Sequence, residues 1–255
     1  YNRGAPIAHY EFDECQGATA YNAALNANNE AAGMNGTIVI GSGGETTLGD
    51  CTTASTAWGS GATGKFNASL DFDGTDDYAE VADNANLDFG DGLDFTLEAW
   101  INRSEFTTDD TILAKRNGIA STDVGYLLYI DDANDDINFS VSDVTSNDTY
   151  SVSGRTAITS SGWYHIVVVF DRDSADNTTI YVNGNLDEDV SSGTIGNVND
   201  LSNALELNIA SESDGGLPFD GQIDNVKIYN YAMPSGLVKR LYNEGSAQRF
   251  GPASG

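Results

Sequence analysis

The segments FTLEAWINR, at residues 95–103, and WYHIVVVF, at residues 163–170, decide the fold. In the first segment an apolar residue stands at every second position from Phe95 to Ile101, which is the pattern of a β-strand with two different faces. The second segment is apolar on both faces, so we expect a central strand that is covered on both sides. Together they predict a packed β-sheet protein.

Shorter segments with the same alternation recur along most of the chain, and turn-forming pairs such as Asp73-Gly74 and Asn183-Gly184 separate them. About a dozen short strands at this spacing predict an all-β sandwich or jelly roll. The segment MPSGLVKRLYNEG, at residues 233–245, predicts one C-terminal helix, because Pro suits a first turn and Gly a stop. Residues 18–32 form a second, weaker helix candidate.

The charge of the chain excludes two classes of partner. The 255 residues carry 39 acidic and 11 basic side chains, a net charge of −28. Nucleic acids and anionic membrane surfaces would both repel such a protein, so we expect neither as a partner. No apolar run is long enough to span a membrane. Most of the acids are Asp, a residue typical of turns and of oxygen-rich cation sites.

Cys15 and Cys51 are the only two cysteines. An even count in an acidic chain rich in Gly, Ser and Asn is typical of an exported protein with one disulfide. Such a bond would close a loop of about 37 residues and contribute roughly 3–4 kcal/mol to stability. Two buried free thiols are the alternative. The loop of residues 41–66, rich in Gly, Ser and Thr, would be tied back to Cys15 by this bond.

Eight segments in order resemble the laminin G-like branch of the concanavalin A-like lectin/glucanase jelly-roll superfamily, from Pro6 to Glu244. They are IAHYEFDE, MNGTIVIG, GKFNASLDFDGTDDYAEVADN, FTLEAWINR, GYLLYIDD, GWYHIVVVFDR, TTIYVNGNL and FDGQIDNVKIYNYAMPSGLVKRLYNEG. The insertion at 41–66 departs from the family pattern. The resemblance implies one domain over residues 1–245, built from two antiparallel sheets of six or seven strands with a short C-terminal helix. Residues 246–255 are expected to be a flexible tail.

The resemblance also implies a structural calcium ion, held by an acidic residue of the last strand, the first strand and the loop before the second. Carried over by motif, the metal ligands are Asp224, Glu11 and oxygens around Gly33 and Asn35. Calcium requires six to eight oxygen ligands, which these residue types offer. The alternative is that Asp224 caps a turn or accepts backbone amides. The acidic clusters at residues 71–77 and 131–136 are interpreted as solvated turns, and a second cation is their alternative.

For function, the resemblance implies a non-catalytic recognition or adhesion module that is secreted or displayed at the cell surface. Its expected ligand is a carbohydrate or a surface protein. Aromatic rings stack on sugars, and Trp58, Tyr126 and Tyr129 are the candidates. An anchoring role, in which Trp58 covers the edge of the sandwich, explains this residue equally well. A structural or adhesive domain of a surface or filament protein is the alternative function.

An enzyme that degrades polysaccharides is the third hypothesis, because the superfamily also contains glycosidases and lyases. The chain lacks the paired carboxylates of the related glycosidases, which take the form E-x-D-x-E. Neither a zinc-binding motif nor a G-x-S-x-G elbow is present. His165 stands within an apolar strand, so we expect a core histidine. These observations favour a protein without catalytic activity.

Overall fold

The computed structural model describes residues 4–25, 33–118, 120, 122–144, 148–172 and 178–246. The strands are Ala8–Tyr10 (β1), Thr19–Ala20 (β2), Gly36–Val39 (β3), Leu70–Asp73 (β4), Tyr78–Val81 (β5), Phe95–Arg103 (β6), Asp110–Lys115 (β7), Gly125–Asp131 (β8), Asp136–Ser142 (β9), Thr149–Gly154 (β10), Tyr164–Phe170 (β11), Thr178–Val182 (β12), Asn185–Leu186 (β13), Glu188–Gly193 (β14), Leu207–Ile209 (β15) and Asp220–Tyr229 (β16). The helices are Ala57–Ser60 (α1), Ser235–Ser246 (α2) and one 3-10 turn at Ile195–Asn197.

The strands form two antiparallel sheets, as predicted. Among the described residues, a seven-stranded sheet has the order β1-β16-β6-β11-β12-β13, with β4 also paired to β16. A nine-stranded sheet has the order β14-β10-β9-β8-β7-β15-β5-β3-β2. It exceeds the expected six or seven strands because the short β2 and β3 extend one edge and β14 the other.

The core lies between the sheets, and β11 is the central strand that its sequence predicts. Ile166 and Val168 pack in the core that both sheets share. Val167 and Val169 point the other way and pack under α2. This second cover explains why the strand is apolar on both faces. Helix α2 confirms the predicted C-terminal helix. No helix within the described residues is long and apolar enough to cross a membrane.

The turn prediction at Asn183-Gly184 is confirmed by the backbone. Both residues have positive φ, 51° and 72°, and they join β12 to β13. Gly tolerates this conformation without steric cost, and Asn does so better than most residues.

The weaker helix candidate at residues 18–32 is wrong where the structure describes it. Thr19 and Ala20 form β2, which pairs with β3. Asn22 makes an isolated bridge to Tyr10. Pairing with neighbouring strands therefore overrides the weak helical pattern. Residues 26–32 lie outside the described part of the chain, as does most of the expected tail at 246–255.

The predicted disulfide is confirmed. Cys15 and Cys51 are bonded, and the Cys51 amide donates to the Cys15 carbonyl at 3.3 Å. Gln16 and Asp50 form a bridge beside them. The insertion at 41–66 is thus fastened to the N-terminal segment, and α1 is the helix that the structure places within it.

Candidate functional site

Trp58 does not lie on the surface, and its role as a sugar-stacking residue is a wrong prediction. Its side chain is fully buried in the core that the two sheets share. Its Nε1 donates to the carbonyl oxygen of Gly17 at 2.9 Å. The residue anchors the insertion to the body of the sandwich, which is the alternative explanation of a Trp in this loop. Burial of the ring and satisfaction of its N–H leave no face for a ligand.

Tyr126 and Tyr129 lie on opposite sides of β8. Tyr126 points into the core and donates its hydroxyl to the Leu87 carbonyl at 3.1 Å, so its prediction as a binding residue is wrong. Burial raises the pKa of this phenol well above its usual value. Tyr129 is half-buried on the outer face. Side chains three residues apart in a strand face opposite ways, which separates the two tyrosines.

The outer surface of β8, β9 and β10 is lined by small polar side chains around Tyr129. In register, Tyr129 stands opposite Asn138, and Asn138 opposite Ser153. Their chain neighbours Ile130, Phe139 and Val152 point into the core, so these side chains point outward. We call this surface the polar face, and it comprises Tyr129, Asn138, Ser140, Ser151 and Ser153.

Arg116 lies at the edge of the polar face, directly after β7. Its Nη1 donates to Ser140 Oγ at 2.9 Å, and its Nη2 donates to the carbonyl of Ala120 at 2.7 Å. The side chain is fully buried, yet its Nε has no hydrogen-bond partner among the described residues. Burial lowers the pKa of the guanidinium, while Asp123 and Glu212 raise it. A guanidinium stays charged in proteins, so a buried cation borders the polar face.

Glu212 is one of the two carboxyl groups that act on Arg116. The residue is only 6% exposed, and its Oε1 has no hydrogen-bond partner within the described part of the chain. Burial raises the pKa of Glu212 to about 7, with a further contribution from Asp214, while Arg116 opposes this rise. The group therefore changes its charge near neutral pH.

Asn208 lies beside this pair, in β15 opposite Ala114 of β7. Its Nδ2 donates to the Glu212 carbonyl at 2.8 Å and to Ser211 Oγ at 3.1 Å. The residue is 2% exposed, and its Oδ1 has no hydrogen-bond partner in the described portion of the protein.

Unsatisfied buried polar atoms cost about 1–3 kcal/mol each, so their concentration in one place needs an explanation. Arg116 Nε is a donor, while Asn208 Oδ1 and Glu212 Oε1 are acceptors. A ligand with several hydroxyl groups can serve both kinds of atom, because each hydroxyl donates and accepts. Tyr129 adds a half-buried aromatic ring on the same side of the sheet.

The predicted calcium ligands fall into separate groups. Asn22 joins Gly33 and Asn35, since its Nδ2 donates to the Gly33 carbonyl at 2.7 Å and its backbone N–H donates to Asn35 Oδ1 at 3.0 Å. The Glu11 side chain is 49% exposed, and its Oε1 lies 4.0 Å from His9 Nε2.

Asp224 is fully buried in β16, and both of its oxygens are engaged. Oδ2 accepts the Phe66 backbone N–H at 2.8 Å, and Oδ1 accepts Asn225 Nδ2 at 2.8 Å. Burial raises the pKa of this carboxyl group to about 7. Within the described residues, no hydrogen bond joins Asp224 to Gly33 or Asn35. This geometry fits the alternative in which Asp224 accepts hydrogen bonds from backbone amides. Calcium binding by Glu11, Gly33, Asn35 and Asp224 stays a prediction.

His165 and Glu98 form a buried contact on the seven-stranded sheet. His165 is fully buried, as expected, and its Nε2 lies 3.2 Å from Glu98 Oε1. Lys227 Nζ and the Tyr229 hydroxyl also contact this carboxylate, at 3.0 and 2.7 Å.

Sequence reasoning did not select Arg116, Asn208 or Glu212 as binding residues; Glu212 was considered only as part of an incomplete pair of glycosidase carboxylates. Basic residues are scarce in this chain, so the position of Arg116 directly after an apolar strand could have indicated a functional role. Glu212 stands about 100 positions further along the chain, and no pattern links the two residues. Their proximity depends on the pairing of β15 with β7.

Comparisons with solved structures identify the fold. The binding domain of Paraclostridial Mosquitocidal Protein 1 matches with a TM-score of 0.62 and 14% identity, over 94% of this chain and 52% of that chain. The botulinum neurotoxin serotype G binding domain matches with a TM-score of 0.61 and 13% identity, over 95% and 51%. The serotype D ligand-binding domain, solved in complex with N-acetylneuraminic acid, matches with a TM-score of 0.59 and 14% identity, over 94% and 51%. The chain spans about half the length of these domains.

A search of curated protein sequences finds no significant match. A laminin G-type family model, described as "Concanavalin A-like lectin/glucanases superfamily", matches residues 73–238, which is more than half of the chain. The matched region contains β5 to β16 and therefore most of both sheets. The chain belongs to the concanavalin A-like lectin/glucanases superfamily.

Proposed function

We propose that this chain is a non-catalytic recognition module that binds carbohydrate on the polar face. The observation that carries the proposal is the set of unpartnered buried polar atoms on Arg116, Asn208 and Glu212 at the edge of that face. Sugar hydroxyls supply both donors and acceptors to such atoms. Tyr129 offers an aromatic ring to the apolar side of a sugar.

Two further facts support this proposal. The similar solved structures are binding domains by their titles, and one of them was solved with N-acetylneuraminic acid. The Cys15–Cys51 disulfide supports a secreted or surface location, since disulfides persist in oxidising compartments.

A glycan array of neutral and sialylated sugars tests the proposal, with the intact chain and two variants as probes. We expect reproducible binding by the intact chain and a loss of about tenfold in affinity for Tyr129→Ala, the loss of roughly 1.4 kcal/mol of contact energy. Tyr21→Ala is the matched control, because Tyr21 is 59% exposed and follows β2 at the far edge of the same sheet.

Equal losses in both tyrosine variants, or no glycan binding by the intact chain, would contradict the proposal. Self-association or binding to a surface protein in place of a glycan would favour an adhesive domain. Release of reducing sugars from a polysaccharide panel would show that the module is catalytic.

Calcium stabilisation is the second part of the proposal, with Glu11, Gly33, Asn35 and Asp224 as the ligands. The charge of the neighbouring Asp13 supports it, because a cation would offset the repulsion between Asp13 and the buried Asp224 carboxylate. EGTA should then lower the melting temperature of the protein, and Asp224→Ala should reduce that sensitivity. Melting curves that are identical with calcium and with EGTA would contradict this part.

A further inference from the structure

Three aspartates converge where β4 leads into β5. Asp73 ends β4, and Asp76 and Asp77 lie in the following turn. One carboxylate oxygen from each of the three lies within 4.8 Å of the others. Proximity of acids is common on protein surfaces, so the surroundings of this cluster decide its meaning.

The start of the insertion wraps around the three carboxylates. Gly41 donates its backbone N–H to Asp77 Oδ1 at 2.8 Å. Ser42 and Gly43 donate theirs to the two oxygens of Asp76, and Glu45 donates to Asp73 Oδ2. The Thr75 backbone N–H donates to Asp73 Oδ1 at 2.9 Å. Backbone amides therefore hold five of the six carboxylate oxygens in place.

The sixth oxygen is Asp77 Oδ2, which is buried and has no hydrogen-bond partner in the ranges that the structure describes. Asp77 is only 1% exposed, so bulk water does not solvate this atom. A buried carboxylate oxygen without a donor is costly, and a cation is one of the few groups that can satisfy it among other carboxylates.

Further acids surround the cluster. The charged groups that act on Glu45, Asp71 and Asp77 are carboxylates, with no Lys or Arg among them. Within the described residues, the fold thus gathers negative charge here, and no basic side chain acts on these three groups.

Glycine at two positions permits the close approach of the loop. A Cβ on Gly41 would lie 1.8 Å from Asp76 Cγ, and one on Gly44 would lie 2.2 Å from Asp73 Oδ2. Gly44 also has a positive φ of 39°. The backbone packs directly against the carboxylates, which orients their oxygens.

We infer that Asp73, Asp76 and Asp77 form a calcium site that fastens the start of the insertion to the β4–β5 turn. Calcium suits this donor set because it takes oxygen ligands in irregular geometry and completes its shell with water, whereas magnesium requires a near-ideal octahedron. The site is separate from the predicted ligands around Asp224 and does not depend on carbohydrate binding.

A second acidic cluster provides the control. Asp109, Asp131 and Asp132 also bring three carboxylate oxygens within 4.8 Å. Asp132 is exposed, and none of the three residues has a buried unpartnered oxygen in the described part of the chain. Asp131→Asn removes the same charge as Asp77→Asn from a cluster of similar composition.

Isothermal titration of the metal-free chain with calcium alone tests the site. We expect a binding event that Asp77→Asn weakens at least tenfold and that Asp131→Asn leaves unchanged; calcium at the Asp224 set would add a second event that Asp77→Asn leaves in place. Asn retains an oxygen that accepts the Gly41 amide, so the variant keeps the hydrogen bond that positions the loop. In the intact chain, calcium at one hundred times its dissociation constant should raise the melting temperature by about 5 °C or more.

The absence of calcium binding, or the same affinity in Asp77→Asn as in the intact chain, would overturn the proposal. Loss of the event in Asp224→Asn but not in Asp77→Asn would overturn it as well and would place the ion at Asp224. Magnesium binding as tight as calcium binding would overturn the assignment to calcium. A fall in affinity in Asp73→Asn, with native circular dichroism in that variant, would support the site independently.

Discussion

The outer faces of the two sheets bury charged side chains in opposite ways. On the seven-stranded sheet, Glu98 is 2% exposed and each of its oxygens has a partner. His165 and Lys227 contact Oε1, and Tyr229 donates to Oε2. On the nine-stranded sheet, Glu212 is almost as buried, but its Oε1 has no partner among the residues described. A buried charge whose hydrogen bonds are complete is structural, whereas one that lacks a partner requires an explanation, for which we propose a ligand.

The covering elements explain this difference. Helix α2 covers the outer face of the seven-stranded sheet, where Glu98 lies. The rings of Trp100, His165 and Tyr242 pack against one another on the same side. On the other sheet the half-buried polar face remains beside Arg116 and Glu212. Four measurements can break or sharpen this comparison.

Glu98→Ala should have the largest effect, a loss of about 4 kcal/mol in the free energy of unfolding. Removal of this carboxylate leaves the Lys227 ammonium and the Tyr229 hydroxyl without their partner in a buried site. Urea denaturation measures the loss. Glu244→Ala is the control, because Glu244 is exposed on α2 and forms an exposed i,i+4 salt bridge with Arg240. Similar values for the two variants would refute the structural role of Glu98.

Tyr229→Phe should cost about 2 kcal/mol, since it removes one hydrogen bond to the buried charge and preserves the ring. Denaturation of this variant beside Tyr231→Phe gives the comparison. The Tyr231 hydroxyl is buried without a partner, so its removal should be neutral or stabilising. A larger loss in Tyr231→Phe than in Tyr229→Phe would contradict the assigned contacts.

The contribution of Glu98 should disappear in acid. Hydrogen bonds from His165 and the charge of Lys227 overcome burial and hold the pKa of Glu98 at about 2. A lowered pKa in the folded state means that the contribution is complete above the unfolded value, near 4.5, and declines as the pH falls toward 2. Melting temperatures between pH 5 and 2 should fall less steeply for Glu98→Gln than for the intact chain. Equal slopes would show that Glu98 does not titrate in this range.

Glu212→Gln should have the smallest effect and the opposite dependence on pH. The pKa of Glu212 is raised to about 7, so its contribution is complete below pH 4.5 and is lost as the pH rises through 7. At pH 8 the neutral Gln should be more stable than Glu by on the order of 1 kcal/mol. Thermal melts of both proteins at pH 5 and pH 8 check this difference. A destabilised Glu212→Gln at pH 8 would show that the carboxylate has a partner after all.

The two tyrosines of β8 show how far the alternation of a strand leads. Their separation of three residues predicts that one faces the core and the other faces outward. The apolar side chains that pack against Tyr126 come from parts of the chain far away in sequence. Only the strand register therefore decides that Tyr126, and not Tyr129, faces the core. Trp58 was harder to place, because a loop rich in Gly and Ser carries no periodicity. The acceptor of its N–H, the Gly17 carbonyl, is 41 positions away.

The fold of this protein follows from its sequence alone, because period-two alternation, turn residues and one C-terminal helical pattern are local properties. The two-sheet sandwich, the double burial of β11 and the disulfide were all predictable. Only the tertiary structure decided which polar side chains meet. Arg116 with Glu212, and Gly41 with Asp77, come from segments far apart in the chain, and strand register together with the path of the insertion brings them together. The hydrogen bonds around Asp77, in which Oδ2 takes no part, depend on that arrangement. No local sequence pattern predicts them.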